Sequence, residues 1–150
     1  MKIFGIKIQV WFKRNEFNIC DIDGIGKYGN TAIMQAAREG NIEIIKELLQ
    51  LEANLNILNE AGNNALWNAC VSDCKECVEA LIEAGIDLNT QNINGTTPLM
   101  YCACTGKEYF VELLIQKGAN TQLLDLDGFK AIDLAVTPKI IAMLKNANLS

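Results

Sequence analysis

Histidine is missing from all 150 residues. The chain therefore holds no side chain whose ordinary titration suits a general base near neutral pH. Long apolar runs are missing too: no segment approaches the roughly 18 apolar residues that span a bilayer. The apolar opening MKIFGIKIQVWFKRN is interrupted by Lys7 and Lys13 and lacks a small-residue cleavage site, which argues against a secretory leader. Positive charge is not in excess. Thirteen lysines and arginines stand against 18 acids, a formal net charge of −5 with a sequence pI near 4.7. A nucleic-acid backbone is thus a poor principal partner, and a basic protein surface a better one. The six cysteines lack the spacing of a disulfide framework and read as reduced thiols, in keeping with a cytoplasmic location.

Half of the residues are hydrophobic, enough for one domain with a substantial core. The charge is uneven. Residues 1–30 carry five basic and three acidic side chains, leaving −7 for the rest. The acidic centre is the stretch 59–91, with Glu60, Asp73, Glu76, Glu79, Glu83 and Asp87 against Lys75.

What orders the chain is a set of glycines, Gly29, Gly62, Gly95 and Gly128, each 33 residues from the next. Such a period marks stacked helix pairs, which bury an apolar face only against their neighbours. Three copies align on it, from Gly29 to Asn56, Gly62 to Asn89 and Gly95 to Gln122. In each, a Thr or Asn precedes a short helix holding a small residue for close packing: Ala36, Ala69 or Cys102. A second helix follows with apolar residues at helical spacing, as in Ile44, Ile45, Leu48 and Leu49. Gly85 and Gly118 suit the left-handed stop of that helix, whereas Glu52 occupies the place in the first copy at a cost.

With Thr97-Pro98-Leu99 opening the third copy, and looser versions in Thr31-Ala32-Ile33 and Asn64-Ala65-Leu66, the pattern resembles the ankyrin-repeat family over roughly residues 20–145. Met100 stands where that family has histidine. The resemblance implies an all-α repeat solenoid: an ankyrin-like stack of helix pairs with β-hairpin finger turns and irregular caps at both ends. Residues 1–150 read as a single domain. It comprises a degenerate N-terminal cap (1–23), repeats at 24–58, 59–91 and 92–124, and a shortened C-terminal capping repeat (125–150). Without the family's histidine ladder, apolar contacts are expected to carry the packing between repeats. Trp11 and Phe12 align with Ile44 and Ile45, which predicts a helix within 7–17. Thr137-Pro138 shortens the last inter-helix turn, and Ile140, Ile141 and Leu144 form a closing helix.

Four other patterns compete with this reading. Gly24-Ile25-Gly26-Lys27-Tyr28-Gly29 spells a dinucleotide fingerprint, but no βαβ unit surrounds it and the period already accounts for Gly29. Residues 8–15, IQVWFKRN, echo a homeodomain recognition helix without the two helices that must precede it. Asp125-Leu126-Asp127-Gly128 opens like a calcium loop, but Val136 replaces its bidentate glutamate. Cys74-Lys75-Glu76-Cys77 has redox or zinc spacing, with Cys70 nearby, yet Cys77 falls on the core column of Ile44 and Phe110. No metal or cofactor is assigned, and no carboxylate pair stands apart as an enzymatic dyad.

Ankyrin partners dock on the finger tips and the adjoining ends of the first helices. By register the resemblance assigns partner binding to Lys27, Tyr28, Asn30, Arg38 and Glu39 in the first copy, and to Glu60, Asn63, Trp67 and Val71 in the second. Ile93, Asn94, Tyr101 and Cys104 follow in the third, and Leu126 and Phe129 in the last. Tyr28, Val71, Ile93, Leu126 and Phe129 are expected to face solvent as a contact patch. The function implied is a non-enzymatic, monomeric protein-binding module with a basic partner, such as an immunity protein neutralising a toxin. An effector or adaptor docking another cellular or host protein is the alternative, and a thiol-based metal or redox protein the third.

Overall fold

In the computed structural model, which describes residues 4–149, regular structure is helical throughout, and no strand occurs among these residues. Residues 1–3 and 150, the outer ends of the two expected caps, lie outside this range. The helices are α1 (Ile6–Arg14), α2 (Ala32–Glu39), α3 (Ile42–Gln50), α4 (Ala65–Val71), α5 (Lys75–Glu83), α6 (Pro98–Cys104), α7 (Glu108–Gln116), α8 (Ala131–Leu134) and α9 (Pro138–Ala147). None is long and apolar enough to cross a membrane. The chain divides between Ile86 and Asp87 into two compact units.

In the first unit α2 packs on α3 and α4, and α5 on α3 and α4, while α1 lies against α3. The repeated apolar positions form its core: Ile33, Ile45, Leu48, Leu66, Val78 and Leu81 are at most 1% exposed. Asn64 starts α4 by accepting the Trp67 amide, the local hydrogen bond for which the residue is favoured there. Thr31 holds the same place before α2 but makes no such bond, and its hydroxyl is buried without a partner. Glu52 adopts a left-handed φ of +61°, the strained turn its position implies. The N-terminal helix is present, with Ile8, Trp11 and Phe12 buried. Trp11 also stacks on Phe17, ring centroids 5.8 Å apart, and its indole N–H donates to Glu39 Oε2 over 2.8 Å.

In the second unit α6 packs on α7 and α8, and α9 on α7 and α8. Thr97 starts α6 with its hydroxyl accepting the Met100 amide, and Pro98 takes the first helical position, where a missing N–H costs nothing. Thr137 and Pro138 repeat that arrangement before α9, whose Ile140 and Leu144 are fully buried.

The β-hairpin fingers expected from the resemblance are replaced by tight turns. Each turn closes with a single backbone rung: Gly26 N–H to Asn30 O, Asn59 to Asn63, Asn92 to Thr96, and Asp125 to Phe129. In the last three, the first residue's side-chain oxygen takes the amides two and four residues on. Asn59 Oδ1 accepts from Ala61 and Asn63, Asn92 Oδ1 from Asn94 and Thr96, and Asp125 Oδ1 from Asp127 and Phe129. Amides consumed by a side chain cannot extend a ladder, so the fingers never lengthen into strands.

The expectation of six reduced thiols is corrected at one pair. Cys74 is the N-cap of α5 and Cys77 lies in its first turn, and the two are joined in a disulfide. The cap position turns the Cys74 side chain back over the helix start, which is where the third helical residue projects. Cys20, Cys70, Cys102 and Cys104 form no disulfide.

Gly29 shows why the period is strict. Its φ is +73°, and a Cβ there would lie 2.8 Å from the amide nitrogen of Glu60. That amide donates to the Tyr28 carbonyl over 3.1 Å, linking one turn to the next. Gly128 has a similar φ of +82° with nothing within 4 Å of an added Cβ. Both alanine variants carry the left-handed cost of about 1–2 kcal/mol. Gly29→Ala is expected to lose more stability than Gly128→Ala in urea denaturation, because it also displaces the neighbouring turn.

Candidate partner-binding surface

In the first unit the turns before α2 and α4 and the exposed side of those helices enclose a concavity of about 370 Å³. Its walls are Tyr28, Asn30, Arg38, Asn59, Glu60, Ala61, Asn63, Trp67, Asn68 and Val71. The floor is a buried amide network. Asn30 Oδ1 accepts from Asn59 Nδ2 at 3.0 Å and from Asn68 Nδ2 at 3.4 Å, and Asn68 Nδ2 also lies 3.0 Å from the Met34 carbonyl oxygen. Asn68 is only 7% exposed although it sits in the apolar helix ALWNACV. Beside it Ser72 donates to the Ala37 carbonyl at 2.7 Å. Polar links between repeats therefore exist after all. Apolar contact alone does not carry the packing of this unit, because asparagine and serine supply bonds to the preceding first helix.

The rim is mixed. Tyr28 is 55% exposed and holds a left-handed φ of +60°, costly for an aromatic residue. Lys27 Nζ lies 4.9 Å and the Arg38 guanidinium 5.8 Å from its ring centroid, within cation–π range. Glu60 is exposed opposite, and Val71 is 43% exposed. Asn63 Oδ1 is buried and has no hydrogen-bond partner, an unmet acceptor on the wall.

Of the residues named by register, Tyr28, Asn30, Arg38, Glu60, Asn63, Trp67 and Val71 line this one concavity, and Lys27 flanks it through Tyr28. Asn30 is 2% exposed and acts as internal scaffold, so its assignment as a surface contact is corrected. Glu39 is occupied within the unit: its carboxylate accepts from Trp11 and from Gln35 Nε2. Asn59 and Asn68 were not among the expected residues. The one cue for Asn68 is an amide embedded in an apolar helix, which must find a partner if buried.

The remaining named residues belong to the second unit. Ile93, Leu126 and Phe129 are 65%, 77% and 47% exposed, and the Asn94 carbonyl accepts the Leu126 amide at 3.1 Å. Tyr101 is half-buried with Lys107 Nζ 5.5 Å from its ring centroid. The Cys104 Sγ lies 3.3 Å from the Tyr101 carbonyl oxygen, and partial burial raises this thiol above the ordinary range. Among the described residues no three Cys, Asp or Glu side chains are placed to share a metal ion.

A family model described as ankyrin repeats (3 copies) matches residues 6–92 and 84–149. A search of curated proteins finds no match.

Two outcomes follow from the geometry. Asn68→Ala removes the side-chain bonds to the Met34 carbonyl and to Asn30 Oδ1 and is expected to lower stability by about 1–3 kcal/mol in urea melts. Alkylation of Cys104, followed by peptide mass spectrometry, should rise with a midpoint above the ordinary thiol range, because desolvation disfavours its thiolate.

Proposed function

The chain belongs to the ankyrin-repeat family, and we propose that it is a non-enzymatic protein-binding module whose main contact is the concavity between the first two turns. Ankyrin repeats mediate protein–protein interaction. The observation that carries the choice of surface is the convergence of Tyr28, Arg38, Glu60, Trp67 and Val71 on one hollow with a polar floor. Aromatic anchors beside a desolvated, hydrogen-bonded pocket are what interface hot spots are made of.

The partner we infer presents a positive charge to Glu60, against a chain whose net charge is −5. Neutralising a basic toxin in a one-to-one complex, as an immunity protein does, is the use that fits these features best. An adaptor or effector docking a cellular or host protein would use the same surface on a different partner.

The reading is tested by placing a photo-crosslinking residue at Val71 in the full chain, with Leu149, which does not line the hollow, as the control. Adducts that form at both positions alike would sink it. With the captured protein purified, Trp67→Ala is expected to weaken binding about thirtyfold or more, the scale of a hot-spot truncation of about 2 kcal/mol. Tyr28→Gly should hold or raise stability by up to about 1 kcal/mol, since glycine removes the left-handed cost. The same variant should weaken binding, separating a residue kept for contact from one kept for folding.

A further inference from the structure

Cys74 and Cys77 differ in what surrounds them. Cys74 is half-buried at the start of α5, while Cys77 is 0% exposed on the core side of the first turn. Their Cα atoms are 5.2 Å apart, within the reach of a disulfide, and the two are bridged. As a staple this bridge does little, because with a sequence separation of 3 it closes almost the shortest loop possible. The α5 start is also held without it: the Cys77 amide lies 3.2 Å from Cys74 Sγ, the cap bond a thiolate sulfur accepts equally well. When reduced, Cys74 has a place for its proton, since the Gly40 carbonyl oxygen is 3.8 Å from Sγ. The turn that delivers Cys74 is fixed by Asp73 at φ +58°.

We propose that Cys74 and Cys77 form a reversible thiol–disulfide exchange site that takes small disulfides, with Cys74 as the attacking sulfur and Cys77 as the resolving one. The Cys74 thiolate attacks one sulfur of R–S–S–R, forming Cys74–S–S–R and releasing RS⁻. The Cys77 thiolate then attacks Cys74 Sγ, forming the Cys74–Cys77 disulfide and releasing the second RS⁻. The protein dithiol is oxidised by two electrons, the small disulfide is reduced by two, and the two thiol protons end on the two released thiols. The order follows from access: of the two, Cys74 is the one open to solvent, and Cys77 lies beside it under the same turn. Asp73 and Glu76 flank Cys74 with Lys75 between them, so the fitting substrate is a neutral or cationic disulfide rather than a strongly acidic one. This site is independent of the binding surface proposed above.

The test uses the reduced full-length chain and the neutral probe hydroxyethyl disulfide, followed by intact and peptide mass spectrometry. The wild type is expected to release both hydroxyethyl thiols and finish with Cys74 bridged to Cys77. Cys77→Ser should stop at a stable adduct on Cys74, and Cys77→Val, which keeps the buried site apolar, should do the same if the serine variant fails to fold. Cys74→Ser should leave Cys77 unmodified. Adducts confined to the exposed Cys20 and Cys104, with Cys74 and Cys77 still reduced in the wild type, would overturn the proposal. So would a wild-type adduct on Cys74 that never resolves.

Discussion

A single backbone hydrogen bond, from the Glu60 amide to the Tyr28 carbonyl, sets the distance between the first two turns. The same bond recurs in the second unit from the Leu126 amide to the Asn94 carbonyl. It requires two backbones to meet with no side chain between them, and only glycine at 29 and 95 leaves that space. Helix packing, the asparagine floor and the hollow all follow from that approach, because each repeat's helices start a fixed number of residues after its turn. The constraint is local, acting between neighbours, as expected for a chain whose repeats contact only adjacent ones.

Most of the fold could be read from the sequence because the period does the aligning. Gly29 fixed the turns, the apolar columns at Ile44, Cys77 and Phe110 fell in the core, and Trp11 and Phe12 took up the matching places in the leading helix. Exposure of Tyr28, Val71, Ile93, Leu126 and Phe129 was equally legible, being a matter of register alone. Left-handed positions obey the same period: Gly40, Asp73 and Gly106 all have positive φ.

What escaped depends on side-chain direction, which register does not supply. The absence of histidine suggested purely apolar joints, yet Asn68 reaches back to Met34 and Asn30. The turns were expected to be hairpins, but Asn59, Asn92 and Asp125 divert amides that a ladder would need. Cys77 was rightly placed in the core and its redox spacing from Cys74 was noted, but the bridge between them was not expected. Register also treated Asn30 and Tyr28 alike, although one is buried and the other half open.

The amide floor has a consequence for how the module responds to its surroundings. Asn30, Asn59 and Asn68 carry no charge at any ordinary pH, and no histidine stands near them or anywhere else in the chain. A joint built of imidazoles would gain charge as a compartment acidifies and loosen with it. This one keeps the same donors and acceptors through mild acidification. The hollow should therefore hold its shape in such a change, and any acid-triggered release of a bound protein would have to originate outside this floor.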